Sequence, residues 1–191
     1  MSHRERLIGL LAQKSYREGD FALSSGVRSD FYLDAKLVTY HPDGVRLVGH
    51  AILDALEGFS VEAVGGLTMG ADAIVASTVW AALESGRKIP GFVVRKEPKK
   101  HGLQKWIEGV SPQGLRVAIV DDVITSGKSV LKAVEAAREA GAEVVVVVGL
   151  VDREEGGARA IQDHGVAFRS VCTIAEIRAA AKEELGVPAQ A

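Results

Sequence analysis

Hydrophobic positions fall into two regimes along the chain. Up to about residue 60 they recur at helical spacing around a polar stretch, and from residue 61 short apolar runs alternate with amphipathic segments. Leu7, Ile8, Leu10 and Leu11 form the first stripe, and Ser2 with Glu5 has the spacing of a capping box, so a short opening helix is expected. Residues 21–36, FALSSGVRSDFYLDAK, read as two short strands around a turn at Ser25-Gly26. His41-Pro42-Asp43 then introduces a helix with Val45, Val48, Ile52 and Leu56 on one face.

The later apolar runs, Ala63-Val64, 92–94, 117–120, 144–150 and 166–171, are separated by helix-like stretches such as ADAIVASTVWAALESG. This alternation specifies βαβ units: an α/β fold with a central, mostly parallel sheet flanked by helices. A helix after Gly127 puts Val130, Val134, Ala137 and Gly141 on one side, as packing on a sheet requires. Thr173 with Glu176 gives a second capping box, and Gly186 and Pro188 mark the end of a last helix. One stretch breaks the pattern. Residues 95–114, RKEPKKHGLQKWIEGVSPQG, are too polar for a buried helix and long for a connection in such a domain. At 191 residues a single domain is expected: an N-terminal part over 1–60, an α/β core over 61–172 and a C-terminal helix over 173–191.

Composition adds mostly exclusions. Hydrophobic residues at 47% and charged residues at 25% are ordinary for a globular protein. A net charge of -2 gives no overall reason to bind nucleic acid or an anionic membrane, so any basic function must be local. Cys172 is the one cysteine, which precludes an intrachain disulfide and favours a reducing compartment. The opening MSHRERLIGLLAQ is too charged for a signal peptide, and no run approaches the roughly 18 apolar residues of a membrane span. A cytoplasmic location is expected.

The chemistry concentrates in residues 117–129, VAIVDDVITSGKS, where an apolar run meets Asp121 and Asp122 and then Thr125, Ser126, Gly127, Lys128 and Ser129. In an open parallel sheet, ligands bind at the carboxyl ends of strands, where helix N-termini offer free N–H groups and a positive dipole end to an anion. A Walker A loop is excluded, because it needs glycine five positions before Gly127 and Asp122 stands there. A phosphate cradle beside carboxylates suits a ribose 5-phosphate, since carboxylates accept hydrogen bonds from sugar hydroxyls and can hold Mg2+ through water. The plainer alternative, helix capping followed by an ordinary turn, leaves two adjacent charges at a buried strand without compensation.

Two further segments complement this one. Arg95, Lys96, Lys99, Lys100, His101 and Lys105 cluster within eleven positions. Alone such a run is a solvated surface; beside a phosphate site it reads as a mobile basic lid that neutralises a leaving pyrophosphate and excludes water. Trp106 either packs when that lid closes or anchors its base. In LVDREEGG, residues 150–157, Arg153 offers a planar fork to a carboxylate, with a surface ion pair to neighbouring acids as the alternative. Trp80 and Cys172 read as core, and His3, His41, His50 and His164 show no metal-ligand spacing.

The signature VAIVDDVITSGKS resembles that of type I phosphoribosyltransferases, and with RKEPKKHG and DREEGG it resembles the orotate phosphoribosyltransferase family. SSGVRSDFYLD is similar to that family's substrate-covering hood. The resemblance implies a hood, a long flexible basic loop, Mg2+ as cofactor, and a homodimer with shared active sites. It implies that phosphoribosyl pyrophosphate is bound by Arg95, Lys96, Lys99, His101, Asp121, Asp122, Val123, Ile124, Thr125, Ser126, Gly127, Lys128 and Ser129. It also implies that orotate is bound by Thr125 and Arg153, the arginine placed for a carboxylate or ring oxygen, that Lys99, His101, Asp121 and Asp122 serve catalysis, and that Asp121 and Asp122 hold the metal through water. Transfer to another nucleobase is the rival reading, and a nucleic-acid-binding regulator the more distant one. The chain departs from the family pattern at Met69, where many relatives carry a lysine, and at Ser24, where some do; the backbone N–H groups of the glycine-rich turn 65–70 could serve the pyrophosphate at the first, and Lys36, Arg28 or water could substitute at the second.

Overall fold

The computed structural model describes residues 1–22, 28–97 and 106–184. The chain opens with α1 (His3–Lys14), whose Ser2 and Glu5 form the expected reciprocal capping box. A two-stranded antiparallel hairpin follows, β1 (Tyr16–Ala22) and β2 (Arg28–Leu33). It starts five residues earlier than the apolar pattern indicated, because after the buried Tyr16 the run REGD, residues 17–20, is exposed throughout and carries no apolar signal. The turn expected at Ser25-Gly26 lies outside the described residues. A four-residue helix, α2 (Lys36–Thr39), is too short for periodicity to register, and α3 (Pro42–Ala55) begins at His41-Pro42 as expected.

The remaining elements are β3 (Ala63–Leu67), α4 (Asp72–Glu84), β4 (Gly91–Val94), β5 (Ile107–Gly109), β6 (Arg116–Ile124), α5 (Lys128–Glu139), β7 (Glu143–Asp152), α6 (Gly157–Asp163), β8 (Ala167–Thr173) and α7 (Ile174–Glu184). Among the described residues they build one six-stranded sheet of order β5-β4-β3-β6-β7-β8. All pairs are parallel except β4 with β5. Strand β5 corrects the reading of residues 95–114 as one long connection: Val94 pairs with Ile107 and Phe92 with Gly109, so β5 adds an antiparallel edge strand beside β4. Ile107–Gly109 has too few residues to carry a recognisable alternation.

Each face of the sheet has its own apolar layer. On one side Leu7, Leu11, Phe31 and Ile52 join Val64, Val120, Val148 and Ile177 in a single cluster, so the N-terminal segment packs on the sheet directly. On the other, Val130, Val134 and Ala137 of α5 meet Phe92, Ile119 and Val147. Gly141 lies past the end of α5 in a left-handed turn with φ 86°, a correction to its placement on the packed face. Trp80, read as core, is 40% exposed, because α4 turns it away from the sheet beside Leu83. Cys172 is buried, as expected, and burial pushes its thiol up to about 12.

Candidate active site

From β3 the chain runs outward to β4 and β5, then returns to the other side of β3 as β6, so the strand order reverses between β3 and β6. The crevice beyond the carboxyl ends of those two strands is where such sheets bind ligands. Its two walls are the turn after β3, Thr68 to Gly70, and the acidic end of β6.

Asp121 and Asp122 lie within β6, whose pairing with β7 continues to Ile124 opposite Asp152, so the carboxylates flank the last turns of the ladder rather than follow it. Asp121 is only 7% exposed. Burial, and next the charge of Asp122, push its carboxyl up to about 7. Each carboxylate also accepts a backbone N–H: Asp121 Oδ1 from Asp122 at 3.1 Å and Asp122 Oδ1 from Val123 at 2.9 Å. Both Oδ1 atoms face Gly70, where a Cβ would approach them to 2.6 and 2.8 Å. Glycine at that point lets the β3 turn close over the two carboxylates. Among the described residues Lys36 of α2 forms an ion pair here, its Nζ lying 3.6 Å from Asp122 Oδ2 and 2.8 Å from Asp34 Oδ1. The Asp34 partner holds the Lys36 pKa above its ordinary value. Arg28, the other proposed substitute for the missing hood lysine, instead pairs with Asp20 on the exposed hairpin.

The β3 turn contains a cis peptide between Thr68 and Met69. Its Thr68 and Ala71 amides donate to the Val94 and Leu67 carbonyls, while those of Met69 and Gly70 have no hydrogen bond to a described residue. Met69 is 61% exposed. The turn thus holds two amides without a partner among the described residues, beside the Met69 position at which the sequence departs from the family pattern.

Below the carboxylates, Gly127 caps α5 in the left-handed conformation at φ 78°. The backbone N–H groups of Thr125, Ser126, Gly127, Lys128 and Ser129 make no hydrogen bond to a described residue. They surround a concavity of about 60 Å³ that Asp121, Val123 and Ile124 also line. Five free amides at a helix N-terminus are the chemistry of an anion cradle. The Ile124 side chain points into the core instead, and its carbonyl accepts the Arg153 N–H at 2.9 Å. Gly157 packs against the same loop, where a Cβ would stand 2.5 Å from the Thr125 carbonyl oxygen. The 150–157 segment is thereby fastened to the cradle.

Arg153 presents a guanidinium over the Phe31 ring, 4.5 Å from its centroid, with Nε donating to Glu155 Oε1 at 2.8 Å. The ion pair with a neighbouring acid, set against a binding role in the sequence, is present, and it uses one edge of the fork. Arg95 and Lys96 leave β4 on the far side of the crevice; Arg95 Nη1 stands 3.5 Å from Glu108 Oε1, and the Lys96 charge acts on Asp121 in opposition to burial. With Trp106, Ser129 and Lys132 they line a groove of about 400 Å³. Trp106 anchors the base of that segment, its carbonyl accepting the Arg95 N–H at 2.8 Å. Lys99, Lys100, His101 and Lys105 lie outside the described residues.

Sequence reasoning missed Gly70 as a site residue and Phe31 altogether. Gly70 closes the glycine-rich run GGLTMG of residues 65–70, so a local signal existed; the Phe31 contact joins residues more than a hundred positions apart and left none.

The donor set fits Mg2+ in one specific way. Among the described residues no three His, Cys, Asp or Glu side chains converge as a cage. Two converging carboxylates without a third protein ligand match an ion that keeps its waters and is completed by substrate oxygens.

A parallel sheet with a paired-carboxylate crevice over a free-amide cradle defines a type I phosphoribosyltransferase. The phosphoribosyl transferase domain family matches residues 49–176. The chain is 43% identical over 180 residues to the orotate phosphoribosyltransferase of Aquifex aeolicus, covering 93% of this chain and 98% of that one. It is 44% identical over 185 residues to that of Streptomyces coelicolor, covering 96% and 97%. The structure matches Mycobacterium tuberculosis orotate phosphoribosyltransferase in complex with phosphoribosyl pyrophosphate at TM-score 0.80 and 36% identity, over 92% of this chain and 99% of that one. The chain belongs to the orotate phosphoribosyltransferase family.

Proposed function

We infer that the chain transfers the phosphoribosyl group of 5-phosphoribosyl 1-pyrophosphate to orotate, giving orotidine 5'-monophosphate and pyrophosphate for pyrimidine biosynthesis. The observation that carries this reading is the union of the free-amide cradle with the Arg153 fork: the Arg153 backbone N–H is bonded at 2.9 Å to the Ile124 carbonyl, just before Thr125. One end takes a phosphate and the other a carboxylate. An anionic base gains from that cation, whereas a neutral purine would not need it.

In this account the amides of residues 125–129 hold the 5-phosphate, and Asp121 and Asp122 accept hydrogen bonds from the ribose hydroxyls. Thr125 and Arg153 hold orotate. The bond from orotate N1 to ribose C1 forms as the bond to pyrophosphate breaks; the electron pair leaves with the pyrophosphate, and the N1 proton is released to solvent. No covalent protein nucleophile is needed, so the chain's work is positioning and charge stabilisation. Lys36, Lys96, Arg95 and the amides of Met69 and Gly70 supply positive charge around the leaving group, with Lys99 and His101 assigned to the same task from the sequence. Asp121 and Asp122 would hold Mg2+ through water, which supplies further charge neutralisation to the pyrophosphate when bound.

We also propose one domain over 1–191, with hood and N-terminal helices in 1–60, core in 61–172 and C-terminal helix in 173–191. The family resemblance supports a homodimer with shared sites, and the exposed Trp80 and Leu83 on α4 agree with a covered face. A cytoplasmic location agrees with the single cysteine. Among the described residues no helix is long and apolar enough to cross a membrane. The test is turnover of orotate by the purified protein with Mg2+ and phosphoribosyl pyrophosphate, read from the loss of orotate's ultraviolet absorbance; turnover of adenine or hypoxanthine in its place would overturn the substrate.

A further inference from the structure

Phe31 belongs to none of the sets of residues assigned above. It is a buried residue of β2, yet its ring carries two cations. The guanidinium carbons of Arg153 and of Arg178 on α7 each stand 4.5 Å from the ring centroid. Arg178 is itself held, its Nη2 donating to Asp30 Oδ1 at 2.7 Å, while its Nε is buried without a hydrogen-bond partner among the described residues. Tyr16 packs against the same ring in a tilted arrangement, centroid to centroid 5.9 Å. The ring's position is thus set by the hairpin and by the C-terminal helix together.

For Arg153 the consequence is geometric. Its side chain is only 10% exposed, its face rests on the ring, and Nε is committed to Glu155. Its two terminal nitrogens make no hydrogen bond to a described residue, so a complete donor edge of the fork stays open. The loop that carries it is equally constrained. Glu154 adopts φ 60°, unusual for a residue with a side chain, and its N–H donates to Asp152 Oδ1 at 2.8 Å. Without the aromatic face, an arginine flanked by Glu154 and Glu155 would gain by turning both terminal nitrogens toward those acids, closing the edge the base requires.

We propose that Phe31, clamped by Arg178, is a positioning residue for base recognition: its ring holds the Arg153 guanidinium with its free edge turned to the orotate carboxylate. The proposal rests on orotate being the substrate. It assigns the hood hairpin a part in selecting an anionic base, in addition to covering it.

The experiment is a double-mutant cycle in steady-state kinetics. Phe31→Leu keeps an apolar side chain but removes the ring's quadrupole, and should raise KM for orotate about 10-fold with KM for phosphoribosyl pyrophosphate unchanged. Phe31→Tyr, which keeps the aromatic face, should restore the orotate KM to within about 2-fold of the parent. In an Arg153→Ala background Phe31→Leu should add nothing further. The inhibition constant of uracil, which lacks the carboxylate, should not move in any Phe31 variant. Arg178→Met, which keeps the stem but loses the charge, should raise the orotate KM about 3-fold, and it decides the matter if Phe31→Leu does not fold. An unchanged orotate KM, an equal rise in both substrates' KM, or a persisting effect in the Arg153→Ala background would overturn the proposal. Failure of the parent chain to use orotate would instead overturn the substrate reading beneath it.

Discussion

Gly70 and Asp121 approach so closely that a methyl group on Gly70 would stand 2.6 Å from Asp121 Oδ1. The same methyl would meet Asp122 Oδ1 at 2.8 Å, so no side chain fits without moving a carboxylate. Displacing a positioning group by about 1 Å lowers rate on the order of 100-fold. Gly70→Ala is therefore expected to lower kcat/KM for phosphoribosyl pyrophosphate by about that factor. Unchanged kinetics would show that the carboxylates need not stay where the β3 turn places them.

The burial of Asp121 makes a pH prediction. Its folded pKa of about 7 lies above the ordinary carboxylate value, so the folded state keeps a proton that the unfolded chain has lost. The stability linked to that proton is fully present below the ordinary value near ~4 and is lost as pH rises through about 7. Asp121→Asn, neutral at every pH, should melt about 5 °C above the parent at pH 8 without ligand, and the gap should narrow toward pH 5. Turnover should fall at the same time, since one of the two acceptor oxygens becomes an NH2 donor and the negative charge is lost. Thermal melts at the two pH values check this, and an equal gap at both would contradict the assignment.

The contact between Gly157 and the cradle loop carries a different signature. A Cβ there would lie 2.5 Å from both the Thr125 carbonyl oxygen and Ile124 Cγ2. Overpacking of this kind destabilises by about 1–3 kcal/mol, and relief requires the cradle to move. Gly157→Ala should raise KM for phosphoribosyl pyrophosphate about 10-fold and lower Tm by several degrees. A lower Tm with unchanged KM would separate the cradle from the base loop.

Much of this site was legible in the chain because its chemistry is contiguous. Asp121 through Ser129 lie in one run, and the apolar strand before them and the glycine after them fix where the carboxylates and amides face. The alternation of strands and helices from residue 61 was legible for the same local reason. What escaped was short or distant. Ile107–Gly109 joins the sheet through backbone pairing with β4, which three residues cannot announce. Trp80 was assigned inward on hydrophobicity alone, though α4 is apolar nearly all round and gives no stripe to orient it. Gly70 meets Asp121, and Phe31 meets Arg153 and Arg178, only through the tertiary fold.

The basic segment between Glu97 and Trp106 is tested by kinetics alone. If Lys99 and His101 act on the departing pyrophosphate, Lys99→Ala and His101→Ala should depress kcat by about 100-fold while leaving the Kd for phosphoribosyl pyrophosphate within a few-fold. Unchanged turnover in both variants would remove the segment from the mechanism.

The central claim is that a phosphate cradle and a carboxylate-seeking arginine belong to one site. Its most direct measurement is a base panel: the purified protein, Mg2+ and phosphoribosyl pyrophosphate with orotate, uracil, adenine or hypoxanthine, with pyrophosphate release followed for each. The structure predicts turnover with orotate, and a loss of at least about 100-fold in kcat/KM with uracil, which differs by the carboxylate that Arg153 would hold. Uracil turned over as well as orotate, or a purine turned over in place of both, would contradict it.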